Sequence, residues 1–217
     1  VYEANCDEDI NAYESTPLGA EQKGFPYTLS QFIGKDYGKI SSTPYGNNIV
    51  VEMAEKALVN EQLGKDDITD LLAISFSSPD YIGHSFGPNS WETLDGYIKL
   101  DVQIAQLFAS LDKQVGKNNY TVFLTADHAV ANIPDYAKKH KIPGGLISES
   151  GLKKELGQHL AKHGLDEKLI SAIGEYNIHF NHALKDSLDV DEEDLVKIVR
   201  QFVEQKPGIL QVVESRE

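Results

Sequence analysis

The chain has 217 residues, 41% of them hydrophobic, a formal net charge of −14 and a single cysteine, Cys6. That length holds one sizeable domain, or a domain with a small appendage. The acidic balance excludes nucleic acid and anionic membrane as main partners, because neutralising phosphates takes a basic face. One cysteine excludes an internal disulfide and a cysteine-built zinc site.

The sequence starts at Val1, without a methionine and in loop-like sequence (NCDEDINAYESTPLGAEQKGFPYTLS), as an internal piece of a longer protein would. No segment reaches the apolar length that spans a bilayer. Residues 1–46 are rich in Tyr, Gly, Pro, Ser and Asn and show no sustained period, which predicts an irregular segment wrapping the core. After TPYGNN, the residues Ile49, Val50, Met53, Ala54, Ala57 and Leu58 fall at helical spacing, and Gly64 makes a stop.

LLAISFS, residues 71–77, is nearly continuous in apolar residues, which predicts a strand covered on both faces, as in a parallel sheet. Asn89 with Glu92 three residues on reads as a capping box. It opens a long helix to about Asp112 with Leu94, Tyr97, Ile98, Ile104, Ala105, Phe108 and Leu111 on one stripe. KNNY is a turn and TVFLTA a second buried strand, so the three elements make a right-handed βαβ unit.

The tail differs. SESGLKKELGQHLAKHG predicts a helix, YNIHFNHAL a strand, DVDEEDLVKIVRQFVEQKPG a helix whose acidic start suits its dipole, and ILQVVES a last strand. The expected domains are a wrapping segment 1–46, an α/β metal-site core 47–145 and a small α+β subdomain 146–217.

Ligands of parallel α/β sheets sit beyond the carboxyl ends of the strands. Asp80 and His84 follow the first strand in SSPDYIGHSFGP, and Asp127 and His128 end the second in TVFLTADH. Each pair offers a carboxylate oxygen and an imidazole nitrogen without thiolate, a donor set suited to zinc or manganese. Gly83 permits the turn that brings Asp80 and His84 to one point. Asp127 and His128 are neighbours, so either the backbone bends there or they serve different points, as two metals clamping a phosphoryl group would require. Ser75, Ser77 and Ser78 lack the G-x-S-x-G setting and read as strand and loop serines. His140, His159, His163, His179 and His182 read as solvated or packed residues. Trp91 and Tyr81 flank the ligands as candidate pocket lining, and Trp91, at a helix start, reads equally as packing. Neither a Walker loop nor G-x-G-x-x-G is present.

DYIGHSFGP, the long helix and NYTVFLTADH together resemble the alkaline phosphatase superfamily, in its branch of zinc-dependent bacterial alkaline phosphatases near the type I phosphodiesterases and nucleotide pyrophosphatases. STPYGN, EMAEKAL, EQLG and the later IPGG are similar to the same branch, and the resemblance is specific over residues 40–147. It implies a three-layer α/β/α fold with a mainly parallel sheet, present here in part, with a lid-like tail. It implies that Asp80 and His84 hold one zinc and Asp127 and His128 a second. It further implies a covalent phospho-Thr or phospho-Ser intermediate, with the nucleophile, an Asp and the phosphate-gripping residues upstream of Val1 and a last His beyond Glu217. The family motif continues Asp-His-Gly, whereas Ala129 follows here.

On that basis the parent is expected to be a periplasmic or secreted phosphomonoesterase acting on a small phosphate ester. This chain alone is expected to be inactive, to hold zinc weakly or not at all, and to self-associate through uncovered apolar surface. The alternatives are a phosphodiesterase or nucleotide pyrophosphatase on the same scaffold and, from another class, a non-catalytic binding protein of this fold.

Overall fold

The computed structural model describes residues 1–215. The chain divides into two compact units, Val1–Tyr136 and Ala137–Glu217.

In the first unit, residues 1–44 hold three short 3₁₀ turns, Tyr2–Ala4, Leu29–Phe32 and Tyr37–Ser42. They are fastened to the core by side chains rather than by a ladder. The Tyr2 hydroxyl donates to Asp95 at 2.9 Å, and the Trp91 indole donates to the Asp7 carbonyl at 2.8 Å. Tyr2 stacks on Trp91 with ring centroids 5.2 Å apart, and Phe25 tilts against Tyr27 at 5.3 Å.

Helix α1 spans Tyr45–Asn60 and buries Val51, Ala54 and Leu58, an i, i+3, i+7 stripe. Of the residues expected on that stripe, Ile49 and Met53 lie outside it and are exposed. Helix α2 spans Ser78–Phe86, and helix α3 spans Trp91–Gln114. The N-cap of α3 is Ser90, whose hydroxyl accepts from the Thr93 amide at 3.1 Å, so the expected Asn89–Glu92 capping box does not form. Helix α3 buries Glu92, Thr93, Asp95, Gly96, Gln103 and Leu107, while Tyr97, Ile98 and Phe108 of the expected apolar stripe stay exposed.

The two runs expected as buried parallel strands carry no ladder. Residues 71–77 alternate between exposed and half-buried, with Ile74 and Phe76 packed on the cluster of Val51, Ala54 and Leu107. Residues 121–126 are exposed throughout, with Phe123 at 90%. A strand becomes a strand by pairing its N–H and C=O groups, and among the described residues neither run has a neighbour to pair with.

Helix α4 spans Pro134–Lys139. In the second unit, helix α5 covers Glu149–Lys162 and starts at Ser148, whose hydroxyl accepts from Gly151. Strands β1 (Ile170–Gly174) and β2 (Asn177–Phe180) form the one antiparallel pair among the described residues. They turn through Glu175 and Tyr176, both at positive φ (50° and 65°), the geometry of a two-residue I′ hairpin. The expected strand 176–184 therefore stops at Phe180. Asn181 caps a new helix instead, α6 at His182–Ser187, by accepting from the Leu184 amide. Helix α7 spans Glu192–Glu204, capped by Asp191, and the expected last strand at 209–215 is irregular. Leu156, Leu160, Leu169, Ile170, Leu195, Val199 and Val203 form the core of this α+β unit.

Candidate metal centre

Asp80 and His84 leave the first extended run on a helix rather than on a turn at Gly83. Pro79 sits in the first turn of α2, where its missing N–H costs no hydrogen bond. Residues four apart share a helix face. Ile82 and Phe86, both 1% exposed, bury one face of α2, and Asp80 and His84 share the opposite face. The helix ends at Gly87 with φ 94°, and the Gly87 amide donates to the Gly83 carbonyl at 2.8 Å. A side chain at Gly87 would collide with Ile133, so this glycine also lets residues 127–133 approach. Asn89 ties the same segment by donating to the Asn132 side-chain oxygen at 3.0 Å.

The backbone bends at Asp127, which answers how two neighbours serve one region. The His128 amide donates back to Asp127 Oδ1 at 3.1 Å, and His128 Nδ1 lies 2.9 Å from the Ala129 carbonyl. That contact leaves Nε2 as the free ring nitrogen. Asp80 Oδ1 lies 3.4 Å from His84 Nε2 and 3.7 Å from His128 Nε2, and Asp127 Oδ2 lies 3.8 Å from His128 Nε2. All four expected residues thus meet in one region, with Asp80 bridging the two pairs.

Donor atoms sharing a tetrahedral zinc at 2.0–2.1 Å stand roughly 3.3 Å apart. The Asp80–His84 separation fits that spacing, and the two further separations are a few tenths of an ångström longer. Among the described residues no group of three or more His, Cys, Asp or Glu closes around one point. Each pair offers two donors, short of the three or four that a closed zinc shell takes. His128 is pushed above the ordinary histidine range, first by the Ala129 carbonyl accepting from the protonated ring, then by the Asp127 and Asp80 carboxylates. The same carboxylates that favour a proton on the ring favour a metal cation beside it.

The other histidines do not join. His159 stacks on Phe202 with centroids 4.5 Å apart and lies 4.7 Å from His163, and burial lowers its pKa. His140, His163, His179 and His182 are exposed. Trp91 packs against Tyr2, while Tyr81 is exposed beside Asp80.

One ionisable pair went unforeseen. Glu92 is 5% exposed, accepts a hydrogen bond from the Tyr27 hydroxyl, and has a buried Oε2 with no partner. Burial pushes its pKa up to about 7. Nothing in the run SWETL distinguishes a buried glutamate from an exposed first-turn one.

The chain belongs to the type I phosphodiesterase / nucleotide pyrophosphatase family, whose profile matches residues 9–216. It is 38% identical over 96% of its length to alkaline phosphatase PafA of Elizabethkingia meningoseptica, and superposes on the crystal structure of PafA with a TM-score of 0.87. It is 37% identical over 96% of its length to a Myroides odoratus protein named calcium-transporting ATPase. It is 44% identical over 64% of its length to alkaline phosphatase PhoV of Synechococcus elongatus, covering 25% of that protein. The chain spans about two fifths of PafA and of the Myroides protein. The likeness to PafA bears out the α/β fold of the alkaline phosphatase kind.

Proposed function

We propose that the protein to which this chain contributes is a zinc-dependent phosphomonoesterase, with Asp80 and His84 holding one ion and Asp127 and His128 a second. The observation that carries the reading is the meeting of the two pairs, with Asp80 Oδ1 within 3.4 Å of His84 Nε2 and 3.7 Å of His128 Nε2. The similarity to PafA and PhoV, both named alkaline phosphatases, supports phosphate esters as the substrate class.

Bound there, two zinc ions would supply Lewis-acid charge for a transferring phosphoryl group and for the attacking oxygen. The chain's own contribution is orientation. Helix α2 fixes Asp80 and His84 on one face, and the Ala129 carbonyl presents the Nε2 edge of His128. The Thr or Ser hydroxyl that would become phosphorylated comes from outside these 217 residues, so the chain alone turns over no ester. The substrate is a small phosphate ester, met in the periplasm or outside the cell, with no nucleic-acid partner. No helix among the described residues is long and apolar enough to cross a membrane.

The family profile supports a second reading, a phosphodiesterase on the same scaffold. Assaying p-nitrophenyl phosphate against bis-p-nitrophenyl phosphate on the whole protein, with zinc supplied and then chelated, separates the two. A zinc-dependent monoester preference supports the first reading and a diester preference the second. Turnover that survives chelation, or zinc binding unaffected by Asp80→Asn, refutes the metal assignment.

A further inference from the structure

The S-T-P-Y-G-N turn, residues 42–47, has no part in the metal centre, yet it is the joint on which α1, α2 and α3 meet. Thr43 is buried, and its hydroxyl donates to the Ile40 carbonyl at 2.8 Å. The Pro44 carbonyl accepts from Gln103 of α3 at 3.1 Å. Asn47 is fully buried with no partner for either atom of its amide, a costly arrangement that close packing around it maintains. Gly46 lies between α2 and the preceding 3₁₀ turn. A β-carbon there would enter the van der Waals shell of the Ser78 hydroxyl and stand 3.1 Å from the Ile40 carbonyl oxygen and 3.5 Å from Ser41 Cα. The Ser41 separation is ordinary contact, whereas the Ile40 carbonyl is backbone and would have to give by a few tenths of an ångström. Ser78 is the buried first residue of α2, two positions before Asp80.

We propose that Gly46 is a positioning residue for Asp80: its missing side chain lets the first turn of α1 bear directly on the start of α2, and so sets where the Asp80 carboxylate meets His128. This rests on the metal reading above. Helix α2 moves as a body, so a displaced start carries Asp80 and His84 together and keeps their 3.4 Å separation. His128 sits on a separate segment, so its 3.7 Å separation from Asp80 is the one that changes.

The test is a zinc titration of the whole protein followed through the Cε1–H resonances of His84 and His128 by NMR. Gly46→Ala is expected to raise the half-saturating zinc concentration about tenfold, the size of loss typical when a residue supporting metal ligands is changed. It is expected to move the metal-free His128 resonance more than that of His84. Adding Ser78→Ala removes the colliding hydroxyl and recovers most of the loss. Gly64→Ala is the control for stability alone. It strains the far end of α1, where φ is 69° and the new methyl would lie 2.8 Å from Val115 Cγ1. It should destabilise the fold and leave the zinc midpoint in place.

Equal weakening by Gly64→Ala overturns the proposal. So does an unchanged midpoint in Gly46→Ala where Asp80→Asn raises it. An unchanged midpoint in Asp80→Asn removes the metal reading itself, and the proposal with it. If Gly46→Ala does not fold, Ser78→Thr presses the same joint from the other side, and a wild-type midpoint there overturns the proposal.

Discussion

Replacing Glu92 by Gln should remove a pH dependence that the folded chain carries in its interior. In the unfolded chain this carboxyl titrates near the ordinary glutamate value of 4.5, whereas burial raises the folded value to about 7. Between those values the folded state binds more protons than the unfolded state, so stability falls as pH rises through that window. The contribution is fully present below pH 4.5 and lost above pH 7. Roughly 2.5 pKa units at 1.36 kcal/mol each set a ceiling of about 3 kcal/mol. Solvent screening of a site near the surface reduces this to roughly 1–2 kcal/mol, or about 2–8 °C in melting temperature for a chain of this size. Glutamine keeps the shape of the neutral acid and does not titrate. The assay is thermal unfolding followed by fluorescence of Trp91, the one tryptophan, adjacent to Glu92 and stacked on Tyr2. Wild-type protein should lose those degrees between pH 5 and pH 8 relative to Glu92→Gln, which lacks that component. Tyr27→Phe removes the hydrogen bond that stabilises the carboxylate, so it should move the wild-type midpoint further up. Parallel pH profiles for wild type and Glu92→Gln would refute the reasoning.

Other consequences follow from the same structure. Asp80→Asn and His84→Ala should weaken zinc binding by at least about tenfold while changing stability by less than about 0.5 kcal/mol, because both side chains are exposed; calorimetric titration and thermal melts check the two halves. Zinc retention at Asp127–His128 should decline on acidification, as protons compete for Nε2 of a ring whose pKa the Ala129 carbonyl and the neighbouring carboxylates raise; a zinc-release titration against pH checks it. Leu160→Ala, at a fully buried position of the second unit, should cost about 2–5 kcal/mol, read from urea unfolding by circular dichroism. Phe123→Lys should reduce self-association in analytical ultracentrifugation, since this 90%-exposed aromatic lies on an extended run with no ladder partner; an unchanged sedimentation profile counts against association through that edge.

The meeting of the two Asp/His pairs was legible in the sequence because its pattern is local. Two Asp/His pairs after two apolar runs mark one end of an α/β sheet wherever the strands happen to pair. How Asp80 and His84 come together was less legible, since a turn at Gly83 and a helical i, i+4 face predict the same convergence. The apolar pattern of 71–77 and 121–126 reports what those residues would be in a complete sheet, and pattern alone cannot supply the neighbouring strands. The cap of α3 was misplaced by one residue because Asn89-x-x-Glu92 and Ser90-x-x-Thr93 overlap, and the burial of Glu92 removed it from capping duty. In the second unit, β1 escaped notice between helix signals, and Asn181 ended β2 early because its side chain caps a helix.

The ties between the first 44 residues and the stretch from the end of α2 to the start of α3 have a bearing on how the molecule assembles. Tyr2 bonds Asp95 across 93 positions, Trp91 reaches Asp7 across 84, Ser15 holds the Ser85 carbonyl across 70, and Tyr27 meets Glu92 across 65. Contacts so distant in sequence carry a loop-closure cost before they return any energy, and they slow folding accordingly. The helical pair α2–α3 forms locally, but its apolar flank waits for a segment made much earlier to come back and cover it. The Ser85 carbonyl, next to His84, finds its partner only once Ser15 returns across those 70 positions.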